Sequence, residues 1–222
     1  MSGSARRSPA AILLGPTGSG KTPLGDLIAQ RGLWQAKCLH FDFGTNLRWL
    51  VERNQPDRLI GRADLDFLRQ VLQTGALLED EHFPIAERIL RSFLNRSAAD
   101  LQTLVVLNGL PRHVGQAEAI DSILDVRAVV HLRCSSEIIY ARIRDNAGGD
   151  RAGRRDDDLA SIRHKLAIFA ERTAPLLDHY RKLGVPVATI EVTTTMTPGQ
   201  MWEELTKLGV RSQFPSDPVD GA

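Results

Sequence analysis

Ala10-Ala11-Ile12-Leu13-Leu14-Gly15-Pro16-Thr17-Gly18-Ser19-Gly20-Lys21-Thr22 is the stretch from which the rest of the chain is read. It opens with an unbroken apolar run, the pattern of a strand buried on both faces of a parallel sheet. It closes with the spacing of a phosphate-binding loop. Glycines at such positions let backbone N–H groups turn inward and approach phosphate oxygens closely. The start of the following helix adds a partial positive charge. Lys21 can reach the β- and γ-phosphates, and the Thr22 hydroxyl can ligate Mg²⁺. The donor-binding residues expected here are Gly15, Thr17, Gly18, Ser19, Gly20, Lys21 and Thr22, with Thr22 as the metal ligand. The competing reading is a chance glycine turn, and it does not account for a strand before and a helix after.

The alternation continues outward. Pro23 to Arg31 has helical spacing, with Leu24, Leu27 and Ile28 on one face and Gly32 as a stop. Further strands are expected at 38–41, 104–107, 128–132 and 185–192. Helices are expected at 65–74, 83–94, 136–144, 159–183 (interrupted by Pro175) and 199–208. Strands alternating with helices predict an α/β fold built on a five-stranded, mostly parallel sheet flanked by helices. Residues 44–100 hold helical patterns and no convincing strand, and they read as a helical insertion. Residues 145–156 are rich in Gly, Arg and Asp with no apolar anchor, and they read as a short lid. The domain expected is therefore 10–211, with a core of 10–43, 101–144 and 157–211 and flexible tails at 1–9 and 212–222.

Composition narrows the classes. The 222 residues suit one sizeable domain. Twenty-eight Lys and Arg against 27 Asp and Glu leave a net charge of +1, which gives no global field for nucleic acid or an acidic membrane. Attraction for phosphate must come from placed residues. Cys38 and Cys134 lack C-x-x-C spacing and sit beside apolar runs, as buried thiols of a cytoplasmic protein do. No apolar run approaches the length of a membrane span.

Two arginines carry chemistry on position alone. Asn108-Gly109-Leu110-Pro111-Arg112 follows a buried strand, so Arg112 falls at the C-terminal sheet edge, where open α/β sheets bind ligands. A guanidinium there suits phosphate oxygens, although a lone arginine is as readily a surface residue. Arg154 lies in the Gly- and Arg-rich loop. The aspartates after it have a helix-capping explanation, and Arg154 has none. A loop arginine near a phosphate site can stabilise a transferring phosphoryl group.

In this arrangement the chain resembles adenylate kinase and its nucleoside monophosphate kinase relatives, from the phosphate loop to about Leu183. His40 to Arg48 resembles the segment opening their monophosphate-binding lobe. Gly75-Ala76-Leu77-Leu78 resembles the turn of that lobe nearest the acceptor base. Asn108 to Arg112, with Gln116, resembles Asp-Gly-Phe-Pro-Arg followed by Gln. Gly153-Arg154-Arg155-Asp156-Asp157 and Thr173 to Tyr180 resemble the end of the lid and the helix after it.

The resemblance implies ATP as donor with Mg²⁺, and a nucleoside monophosphate, AMP foremost, as acceptor. It implies that Arg48 and Arg112 hold the acceptor phosphate and that Gln116 reads its base, with Phe43 and Leu77 bordering it. Lys21, Arg112, Arg154 and Lys165 would be catalytic, and Arg142 a donor-side arginine at the start of the lid. Without a cysteine cluster, no structural zinc is expected.

Three departures stand out. Asn108 replaces an aspartate that orients Mg²⁺ through water, which predicts weaker metal positioning. Phe43 stands where the family has a threonine. Lys165 stands where it has an arginine, and a lysine keeps the charge without the bidentate fork. They keep two other readings open: a nucleotide-binding module with weak or lost kinase activity, and a P-loop kinase for a small non-nucleotide acceptor with Phe43 closing the base pocket. A monomer is the default state.

Overall fold

The computed structural model describes residues 7–74, 82–97, 99–149 and 159–208. Five strands form one sheet: β1 (Pro9–Leu14), β2 (Cys38–Asp42), β3 (Leu104–Asn108), β4 (Asp125–Arg133) and β5 (Val187–Glu191). Their spatial order is β2-β3-β1-β4-β5, and every pairing is parallel. The expected α/β architecture is borne out. The strand carrying the phosphate loop lies at the centre of the sheet.

Both faces of β1 are covered, which explains its unbroken apolar run. Ala10, Ile12 and Leu14 join one core cluster, whereas Ala11 and Leu13 join another. That is the period-two alternation of a strand with two dry sides. On the second face Leu24 and Ile28 of α1 (Lys21–Arg31) meet Met201 and Leu205 of α9 (Pro198–Lys207). Indole N–H groups tie these elements together: Trp34 donates to the Leu205 carbonyl at 3.1 Å and Trp202 to that of Gly32 at 2.9 Å.

On the first face the chain leaves β2 into three helices before returning as β3. They are α2 (Phe43–Arg53), α3 (Arg62–Thr74) and α4 (Phe83–Arg96). Leu47, Leu50, Leu65, Leu68, Ile85 and Ile89 belong to the same cluster as Ile12 of the sheet. Burying one such side chain contributes roughly 1.5–3 kcal/mol, so these helices are held by the sheet's own core. Two helices escaped the sequence reading as separate elements, α2 and α5 (Val114–Ile123).

After β4 come α6 (Ser136–Arg144), α7 (Leu159–Ile168) and α8 (Leu176–Lys182). The sequence put a break at Pro175. The chain anticipates it with a π-helical turn at Phe169–Thr173, closed by Ala174 N–H donating to the Phe169 carbonyl at 2.8 Å. Pro175 has no N–H to offer the carbonyl four residues back, and widening the preceding turn accommodates that loss.

Candidate active site

The C-terminal ends of β1, β2 and β3 converge on one cavity of about 340 Å³. The phosphate loop forms its floor. Gly18 and Gly20 have φ of 78° and 97°, in the region that L side chains avoid. A Cβ on Gly15 would sit 2.9 Å from the Leu132 carbonyl oxygen, so bare backbone is required where the loop crosses β4. Lys21 folds back over the loop, and its Nζ donates to the carbonyls of Gly15 at 2.6 Å and Pro16 at 2.8 Å. Gly15, Thr17, Gly18, Gly20, Lys21 and Thr22 all line the cavity. Ser19 is fully buried, its backbone N–H donating to Pro16 at 3.3 Å.

The opposite wall is cationic. Arg48 of α2 lines the cavity, its Nη2 donating to Thr45 Oγ1 at 3.2 Å. Arg112 lines it from the turn after β3, with its Nε on the Gly109 carbonyl at 3.1 Å. Burial lowers the Arg112 pKa, Asp42 opposes that shift, and Arg172 adds to it. A guanidinium stays charged through such changes. Lys165 lines the cavity from α7, beside Ile168, Phe169 and Thr173. Four cationic side chains thus face one space from separate elements, an arrangement suited to phosphates.

Between floor and wall lies a polar cluster that joins Thr22 and Asn108 to Asp42, a residue that the sequence reading missed. Asp42 Oδ2 accepts from Thr22 Oγ1 at 2.7 Å and from Asn108 Nδ2 at 2.7 Å, and Asn108 Nδ2 also donates to Thr22 Oγ1 at 3.1 Å. Asp42 Oδ1 caps α2 by accepting from Thr45 N–H at 2.8 Å. Burial alone raises the carboxyl pKa; hydrogen bonds from Thr45 and Thr22, with the charge of His40, overcome it and leave the group below its ordinary range. The magnitudes agree with that sign. Desolvating an ion costs several kcal/mol, and each hydrogen bond to a charged group returns about 1.5–3 kcal/mol. The hydroxyl, carboxylate and carboxamide form a donor set that fits a hard divalent cation such as Mg²⁺. Among the described residues no group of three or more His, Cys, Asp or Glu could hold a metal ion.

Other expected residues sit away from the cavity wall. Phe43 is 4% exposed and packs in the core, with the Arg112 guanidinium 5.7 Å from its ring centroid. Its ring is therefore beneath Arg112 and does not close the cavity. Gln116 is 2% exposed, and its Oε1 accepts from the Arg112 N–H at 2.9 Å. Arg142 is buried against the loop, where Nε donates to the Gly18 carbonyl at 3.2 Å and Nη1 to those of Thr193 at 2.8 Å and Met196 at 2.9 Å. It braces the phosphate loop from behind. Leu77 and Arg154, with residues 150–156 of the expected lid, lie outside the described residues.

No family model matches the chain. Curated relatives do. An adenylate kinase of Xanthomonas campestris pv. campestris (strain 8004) is 34% identical over 178 residues, covering 78% of this chain and 86% of the relative. The chain belongs to the adenylate kinase family. Family membership makes it a phosphotransferase of the nucleoside monophosphate kinase class. Other relatives agree. An adenylate kinase of Rhodopirellula baltica (strain DSM 10527 / NCIMB 13988 / SH1) is 31% identical over 180 residues, with 78% and 82% of the two chains covered. One from Prochlorococcus marinus (strain MIT 9211) is 29% identical over 182 residues, with 79% and 85% covered. Among the described residues of this family member no helix is long and apolar enough to cross a membrane.

Proposed function

We propose that this chain transfers the γ-phosphoryl group of ATP to AMP. The observation that carries the reading is the single cavity lined by the phosphate loop on one side and by Arg48, Arg112 and Lys165 on the other. Donor and acceptor phosphates meet there in a space whose charge they neutralise. The names of the relatives favour adenylate as acceptor.

The backbone N–H groups of Gly15 to Thr22 hold the donor's phosphates, and Lys21 exchanges its two loop carbonyls for them. Thr22 would hold Mg²⁺, which would neutralise phosphate charge on the donor. Arg48 and Arg112 grip the acceptor phosphate, Phe43 and Gln116 support Arg112 from beneath, and Leu77 borders the base. Lys165 and Arg154 stabilise charge on the group in flight. Catalysis is positioning plus electrostatics, since the transfer needs no covalent intermediate on the protein.

The non-nucleotide reading loses its main support, because Phe43 packs into the core and leaves the cavity open. The expected work compartment is the cytoplasm, with the chain acting as a monomer. A coupled assay with ATP and AMP, GMP, CMP and UMP tests the proposal. ADP formation fastest with AMP is the expected result. No turnover with any monophosphate overturns kinase activity, and a clear preference for another base overturns the choice of AMP.

A further inference from the structure

The two oxygens of Asp42 do different things. Oδ1 caps α2 through Thr45 N–H. Oδ2 turns the other way, to the Thr22 hydroxyl and the Asn108 amide. Helix capping explains the first oxygen and leaves the second without a structural reason. Asp42 and Asn108 are register partners on β2 and β3, so both reach the sheet's C-terminal edge beside the helix start that carries Thr22.

In P-loop phosphotransferases the hydroxyl at that helix start holds the metal together with an aspartate from a neighbouring strand. Here β3, the strand beside β1, ends in an amide. The carboxylate arrives from one strand further out. We infer that Asp42, rather than Asn108, is the carboxylate that positions the Mg²⁺ of the bound triphosphate, with Thr22 as the hydroxyl ligand and Asn108 orienting the Asp42 carboxylate. The inference rests on the donor half of the proposed function and is independent of the acceptor.

Charge supports the assignment. Among the described residues lining the cavity, Asp42 is the one carboxylate, and it stands with Lys21, Arg48, Arg112 and Lys165. Without it the described side chains lining the cavity would offer the cation no negative charge of their own. Donor chemistry supports it too. Mg²⁺ usually binds through one or two carboxylates plus substrate phosphates and water, so a cluster of acids is unnecessary. Asn108 presents its N–H to Asp42 Oδ2, which holds that oxygen toward Thr22. The loss of metal positioning expected from Asn108 alone is thereby offset by its neighbour.

The test uses the full chain with a non-hydrolysable ATP analogue and no acceptor. Mn²⁺ replaces Mg²⁺ and is titrated by electron paramagnetic resonance. Asp42→Asn retains an N-cap residue and so keeps the cap on α2. It is expected to weaken Mn²⁺ binding about tenfold or more while leaving metal-free nucleotide affinity in EDTA unchanged. The exchange variant Asp42→Asn/Asn108→Asp is expected to recover Mn²⁺ binding. Wild-type Mn²⁺ affinity in Asp42→Asn overturns the inference and leaves kinase activity standing, as does failure of the exchange to recover binding. Should Asp42→Asn not fold by circular dichroism, Asp42→Ser, which also keeps an N-cap side chain, is measured in its place. Weaker Mn²⁺ binding supports the assignment, and wild-type Mn²⁺ affinity overturns it. Absence of nucleotide binding by the wild type overturns both the inference and the proposed function.

Discussion

Thr173 Oγ1 donates a hydrogen bond to the carbonyl oxygen of Arg112 at 2.9 Å. This one bond joins the π-helical turn after α7 to the turn that presents Arg112 to the cavity. Both residues line the cavity, from elements far apart in sequence. Thr173→Val removes the donor and keeps the shape. It is expected to raise KM for the monophosphate about fivefold, from the loss of roughly 1 kcal/mol. KM for ATP should stay near the wild-type value. Steady-state kinetics with each substrate varied in turn check the split.

Gly18→Ala should disable the phosphate loop. The residue has φ 78°, and an added Cβ would lie 2.8 Å from Ile143 Cγ1. Strain and overlap each cost on the order of 1–3 kcal/mol. The loop can relieve them only by moving away from the geometry that aims its N–H groups. ATP affinity measured by calorimetry is expected to fall tenfold or more, with the helical circular dichroism spectrum retained.

Arg142→Met tests the brace behind the loop. The methionine fills space but leaves the carbonyls of Gly18, Thr193 and Met196 without the donor they now share. Each buried unsatisfied group costs about 1–3 kcal/mol. A destabilisation of about 3 kcal/mol or more is expected in urea unfolding. Arg142→Lys should fall between the two, because an ammonium keeps the charge and cannot span carbonyls on both sides.

Asp57 makes a prediction about pH. Burial is the largest single influence and raises its carboxyl pKa, but hydrogen bonds from Ser92 and the N–H groups of Leu59 and Ile60, with the Arg96 charge, together carry it below the ordinary value. A folded-state pKa below that of the unfolded chain contributes stability above the unfolded value near about 4. The contribution is lost as pH falls through the folded value. Asp57→Asn is therefore expected to melt below the wild type at pH 7, and the gap should close on acidification below about pH 4. Melting temperatures across that range check it.

The sheet was legible because its strands are apolar runs with little else to become. The five strands correspond to the five expected runs, β4 beginning earlier than its apolar stretch because Asp125 and Val126 also pair with β1. The helix α5 was less visible. Val114 to Ile123 contains a glycine, two alanines and alternating polar residues, so no strong apolar stripe marks it. In the site, the phosphate loop was readable because its function depends on local spacing. Asp42 was not readable, since its value comes from Thr22 and Asn108, residues 20 and 66 positions away. In sequence it was one residue of the His40 to Arg48 segment, with no mark of its own. Gln116 and Phe43 were noticed by position, but their direction depends on how Arg112 packs over them, which no linear pattern encodes.

The register of β2 against β3 has a consequence for how such chains change over generations. Asp42 and Asn108 are opposite one another at the last rung of the pair. Side chains at that rung reach the same point from adjacent strands. An acid lost from one strand can therefore be regained from the other without moving the backbone, through an intermediate that carries either two acids or two amides. What selection preserves at such a rung is a location in space, and a search that demands the acid at one fixed position in the alignment would discard a chain that still has it.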